Sequence, residues 1–191
     1  MNSAIFRQIH RQIAPIVFIP LFLSAITGIA YSLGKSWFDL PRESTHIFMV
    51  IHEAEYFGKY LEPIYVLFLA IGIITMIVTG LTMARSFSKK PKITKWNYRT
   101  MHRMVAPIFF LPLLVSATTG VAYRISRSWL GMSRSEADIF LVIHEGKYLG
   151  EIFQPIYVLL VGLGLVSIII TGVSMIRWVS LKPKQQMKSE N

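Results

Sequence analysis

Four apolar runs, at 13–33, 64–84, 105–123 and 156–176, set what this chain can become. Each is close to the ~20 residues that a helix needs to cross a ~30 Å hydrocarbon core. A backbone inside lipid must satisfy its own hydrogen bonds, and these runs lack the alternation of a barrel strand. The sequence therefore predicts an all-α membrane protein with four transmembrane helices. The composition agrees, with 53% hydrophobic and 16% charged residues, against roughly 25% charged in soluble domains. The first run is longer than the apolar core of a signal peptide, and no clear small-x-small cleavage site follows it, so it is read as part of the mature chain.

The runs come as two matching pairs. Residues 7–85 align without a gap on 99–177, and 37 of the 79 positions are identical. RQIHRQIAPIVFIPLFLSAITGIAY (7–31) matches RTMHRMVAPIFFLPLLVSATTGVAY (99–123), and IFMVIHEAEYFG (47–58) matches IFLVIHEGKYLG (139–150). A period of 92 residues is too long for a solenoid. It predicts a tandem duplication of a two-helix unit, with repeat 1 at 5–88 and repeat 2 at 97–180. Two parallel copies are related by a pseudo-twofold axis along the membrane normal. The whole reads as a single four-helix membrane domain over 1–181, followed by a disordered tail at 182–191.

The formal charge of +10 is placed unevenly. Four spans put both termini and the loop at 86–95 on one side, which then holds 13 cations against Glu190 alone; the other side holds seven cations and nine acids. The positive-inside rule makes the basic side cytoplasmic, with both termini there. This accounts for the KKPKITK stretch through topology and anionic lipid head groups, with no nucleic acid needed. Trp96 and Trp178 near one face, and Trp37 and Trp129 near the other, fit interfacial anchoring. The chain has no cysteine. Disulfides, thiolate metal sites and covalently attached haem are excluded, so a cofactor must rest on nitrogen or oxygen ligands.

Both repeats keep two histidines: His10 returns as His102 and His52 as His144. His10 and His102 begin the odd-numbered spans at the cytoplasmic edge, and His52 and His144 precede the even-numbered ones on the outer side. Depth therefore pairs each histidine with its repeat mate across the axis. Two imidazoles facing each other at each membrane face suit a b-type haem, one ring on each side of the iron. Gly28 and Gly120 lie near the outer pair and Gly80 and Gly172 near the inner pair, where a missing Cβ allows close approach to a flat ring. Arg7, Arg11, Arg99 and Arg103 stand where they can meet the propionates of an inner haem. A straight second helix would put His52 about 42 Å from Gly80, at ~1.5 Å per residue. A break at Gly58–Pro63, repeated at Gly150–Pro155, is expected to fold 46–57 across the membrane surface and shorten that span. Pro15, Pro20, Pro107 and Pro112 predict bends in the first and third spans.

These residues resemble the transmembrane part of the PepSY-associated membrane protein family. The likeness rests on HR–x–x–AP with TG 17 residues after His10 and His102, and on IHE–x–x–Y–x–G followed by TG. It covers about 5–178. The resemblance implies a haem-b-binding oxidoreductase core of a bacterial inner membrane, several relatives being linked to reduction of ferric siderophores, with His10, His52, His102 and His144 as ligands. The outer loops, about ten residues long, leave no room for the PepSY domain itself.

The leading expectation is a di-haem b-type cytochrome holding two haems and carrying electrons across the membrane, towards ferric complexes or another extracytoplasmic acceptor. A quinol or a cytoplasmic reductase would be the donor. Two alternatives stay open. One is a non-haem zinc or iron site built from His52, Glu53, His144 and Glu145; the other is a non-catalytic assembly or transport subunit.

Overall fold

The computed structural model describes residues 3–86 and 97–176. Trp96, Trp178, the 182–191 tail and most of the basic 86–95 loop lie outside the described residues. Every regular element among those described is helical: α1 (Ser3–Ser36), α2 (Arg42–Glu53), α3 (Gly58–Ser86), α4 (Tyr98–Ser128), α5 (Arg134–Glu145) and α6 (Phe153–Val173). One-turn 3-10 segments, Glu55–Phe57 and Lys147–Leu149, lead from α2 to α3 and from α5 towards α6. The helices α1, α3, α4 and α6 are long and apolar enough to cross a bilayer. The molecule is a multi-pass integral membrane protein.

The four spans stand in a ring. Helix α1 packs on α3 and α6, α4 packs on the same two, and α1 and α4 stand diagonally opposite, meeting only through side chains. Lipid supplies no hydrophobic force between helices, so association depends on close packing. Glycine provides it: a Cβ on Gly72 would lie 2.7 Å from Val17, and one on Gly164 would lie 2.4 Å from the Phe109 ring. At mid-depth Val17, Leu21, Leu69, Ile73 and Leu113 form the buried core. Outward-facing residues of the spans, such as Ile16, Ile64, Ile108 and Leu160, are exposed, as a lipid-facing surface requires. The helices α1 and α4 run unbroken through Pro15, Pro20, Pro107 and Pro112.

The short helices correct one expectation. The break after His52 lies at Ala54–Gly58, so of the expected Gly58–Pro63 break only Gly58 takes part. It begins at Ala54, which adopts the left-handed conformation (φ 58°, ψ 42°) and ends α2; Gly58 follows with φ 79°. The second half turns at Gly146 (φ 70°) and Gly150 (φ 83°). A left-handed residue stops a helix by capping its last carbonyls, whereas proline's fixed φ fits a helix well, so Pro63 is carried inside α3. The folded-back segment is also 42–53 rather than 46–57, and it lies along α1 rather than across a surface. Thr45 of α2 meets Gly34 of α1, and seven residues on His52 meets Gly28, so α2 runs antiparallel to α1. It re-enters the bundle without crossing it.

Ala54 and Gly146 occupy matching turns, which yields a prediction. An L side chain costs about 1–2 kcal/mol in the left-handed region. A Cβ on Gly146 would also meet the Tyr157 ring at 2.5 Å. Gly146→Ala is expected to lower stability by roughly 1–3 kcal/mol, while Ala54→Gly leaves it equal or higher. Thermal unfolding of both variants in one detergent checks this.

Candidate functional site

The ring of spans brings the four repeated histidines into two facing pairs. His10 on α1 and His102 on α4 have ring centroids 6.5 Å apart with planes at 82°. His52 on α2 and His144 on α5 are 6.3 Å apart at 68°. The first pair lies at the end of the bundle where α1 and α4 begin, here the near end. The second lies towards the far end.

Each imidazole is held by its Nδ1 atom within its own half of the chain. His52 Nδ1 donates to the Ser24 carbonyl at 2.8 Å, and His144 Nδ1 to the Ser116 carbonyl at 2.9 Å. His102 Nδ1 lies 3.1 Å from the Ile168 carbonyl and 3.0 Å from Thr171 Oγ1. His10 Nδ1 meets Thr79 Oγ1 at 2.8 Å; that hydroxyl already donates to the Thr75 carbonyl, so it accepts from the histidine. A carbonyl can only accept, so the Nδ1 atoms carry the hydrogens and each Nε2 keeps a free lone pair. Among the described residues no hydrogen bond engages any of these four Nε2 atoms.

The spacing has a direct chemical meaning. With metal–nitrogen bonds of about 2.0–2.1 Å and a ring nitrogen ~1.2 Å from its centroid, two imidazoles on opposite sides of one ion sit roughly 6.4 Å apart. Both pairs fall on that distance. The Nδ1 bonds are also the outer contacts that fix the tautomer and orientation of histidine ligands in metal sites.

The four glycines of the sequence reading are the seats of these rings. A Cβ on Gly28 would lie 3.1 Å from His52 Cε1, and one on Gly120 would lie 3.0 Å from His144 Cε1. Gly80 and Gly172 back His10 and His102 at 3.7 and 3.4 Å. The far rings line a cavity of about 300 Å³, at the lower end of the usual ~300–1,000 Å³ for small-molecule and cofactor sites. Leu21, Leu69 and Leu113 line it on the core side, and Lys35, Arg124, Lys147, Glu53 and Glu145 line it with charge. Arg7, Arg11, Arg99 and Arg103 are exposed on the first turns of α1 and α4, beside the near pair in sequence.

Depth follows from the seats. His52 is bonded at Ser24, 14 residues along α1 from His10, so the two pairs are about 21 Å apart at ~1.5 Å per residue. That halves the 42 Å of a straight helix.

Two features escaped the sequence reading. The Ser24 and Ser116 carbonyls are backbone atoms and leave no residue-type signature. Arg124 forms ion pairs with both Glu53 and Glu62; its signal was visible, because it stands within an apolar region where the other repeat has Ser32. His46, whose repeat mate is Asp138, lies 3.9 Å from Glu55 and away from both pairs. Comparisons with family models, curated proteins and solved structures return no match.

The glycine seats can be tested. Gly120→Leu is expected to push the His144 ring off its position and to lower metal or cofactor affinity at the far pair about 10–100-fold, the usual effect of disturbing a ligand's support. Gly164→Leu, which meets the Phe109 ring and does not line that cavity, serves as the packing control. Bound cofactor per folded chain is the readout.

Proposed function

We propose that this chain is a di-haem b-type cytochrome that carries electrons between the two faces of a membrane. The observation that carries the reading is the pair of facing imidazole couples, each at metal-bridging distance and each with Nε2 left free. Haem supplies one-electron redox chemistry when bound; the chain's own residues seat it, orient it and keep water away. His10 and His102 would hold one iron, and His52 and His144 the other. The α1 and α4 backbones at Gly28 and Gly120 come close to the far histidine rings, and the leucines beneath close that site towards the core. Arg7, Arg11, Arg99 and Arg103 would offer charge to the propionates of a near haem.

The gapless sequence repeat and the parallel order of α1–α3 and α4–α6 support a tandem duplication with a pseudo-twofold axis along the membrane normal. The charge distribution supports cytoplasmic termini, which puts the His10–His102 pair on the cytoplasmic side and the His52–His144 pair on the outer side. We read the chain as a helical core of the PepSY-associated transmembrane type, in a bacterial plasma membrane. It takes electrons from a quinol or a cytoplasmic reductase and passes them to an extracytoplasmic acceptor such as a ferric complex.

The mixed histidine–carboxylate metal site is disfavoured by its carboxylates. Glu53 is engaged by Arg124, and Glu145 by Lys147 and Gln154. Neither is free to complete a tetrahedral set with the imidazoles.

A pyridine haemochrome assay on detergent-purified protein is expected to return about two b haems per chain, one for each bis-imidazole site. Alanine at any one of the four histidines should remove or convert one haem and spare the other. Near-perpendicular axial rings should give strongly anisotropic low-spin ferric EPR signals. Folded protein made with haem available and still colourless would end the cytochrome reading and favour the assembly-subunit alternative.

A further inference from the structure

We propose that Arg124, with Glu53 and Glu62, is the positioning latch of His52, and that it makes the two ligands of the far site unequal. The inference rests on the two-haem reading above. Arg124 touches neither ring. It acts through the short helix that presents His52.

That helix needs a second hold. Helix α2 lies along α1 through Thr45 and His52, and its contact with α3 is slight. Its C-terminal end runs straight into a turn with two positive φ angles, at Ala54 and Gly58. Its N-terminus has no side-chain cap. Glu53, the residue after His52, points about 100° away from the ring around the helix, and its carboxylate meets the Arg124 guanidinium of α4. The same guanidinium meets Glu62 of α3. One side chain thus ties α2, α3 and α4 together across the two halves of the molecule. All three side chains are largely buried, at 17%, 18% and 11% exposure for Arg124, Glu53 and Glu62. In such surroundings an ion pair is screened far less than at a surface, and removing one partner strands the other. Both carboxylates meet the one Nη2 of Arg124, whose two hydrogens lie fixed in the guanidinium plane; a lysine ammonium is a single point charge.

The other half lacks this device. Ser32 stands where Arg124 would, and Gln154 stands where Glu62 does. Glu145, next to His144, meets Lys147 at 2.9 Å and Gln154 at 3.4 Å, both within its own half. Helix α5 is also closed at its start by a capping box between Ser133 and Glu136. His144 is therefore secured locally, while His52 is secured from across the bundle. The latch makes His52 the ligand that can be let go, and His144 the fixed one.

The test uses full-length, haem-loaded protein, with the near haem as an internal control for folding. Arg124→Gln is expected to leave the near haem unchanged. At the far site it should give a five-coordinate, high-spin haem that binds carbon monoxide on reduction, with affinity for haem lowered about 10–100-fold. Its far-site spectrum should match that of His52→Ala rather than that of His144→Ala. Glu53→Gln, a milder change, should move the spectrum the same way, Arg124→Lys should restore it in part, and Ser32→Ala should do nothing. If Arg124→Gln and Glu53→Gln both keep a six-coordinate far haem that ignores carbon monoxide, the latch is wrong and the two-haem reading stands. A variant that loses both haems has failed to fold, and Glu53→Gln then decides. Unmutated protein without a far haem would remove the reading and the latch together.

Discussion

The site depends on one hydrogen bond repeated four times: an imidazole Nδ1–H given to an oxygen of a neighbouring helix. In lipid there is no water to take that proton donor, so an unsatisfied one is costly. Meeting the need from a helix oxygen does three things together. It fixes the tautomer, it leaves Nε2 unengaged, and it sets the depth of the ring along the span. The glycines follow from the same requirement, because a ring that bonds the Ser24 or Ser116 carbonyl must lie against the helix surface one turn later, at Gly28 or Gly120. The positions of the four histidines are then a property of the scaffold, already arranged for ligation.

The two pairs reach this arrangement by different routes. His10 and His102 belong to the spans themselves and take their partners from the ends of α3 and α6. His52 and His144 ride on short helices that turn back into the bundle. A re-entrant segment is tolerated at membrane depth only where it is buried in protein. Here α1 and α4 supply that cover, and the left-handed residues Ala54 and Gly146 supply the turn. The far pair is thereby brought to about 21 Å from the near pair, at ~1.5 Å per residue of α1.

Much of this was legible in the sequence. The four spans followed from run length, and the pairing of His10 with His102 and His52 with His144 followed from depth and repetition. Gly28, Gly80, Gly120 and Gly172 were marked for close approach to a flat cofactor; what lies against them in the structure is the histidine ring. The location of the break was misjudged because proline is a conspicuous signal and Ala54 is a silent one: nothing in an alanine announces a positive φ. Its mate Gly146 did carry that signal, so comparing the two repeats at 54 and 146 would have placed the turn. The ion network was passed over for a related reason. Arg124 and Glu62 stand 62 positions apart in the sequence, and only the packing of α3 on α4 makes them neighbours.

Every histidine takes its hydrogen-bond partner and its glycine seat from its own half and its facing ring from the other. Half of this molecule, paired with an identical copy of itself, would contain every part of both sites in symmetrical form. What such a pair could never contain is a position that is arginine on one side and serine on the other. Joining the halves in one polypeptide is what permits the two histidines of a facing pair to be held differently, one from within its own half and the other from across the bundle.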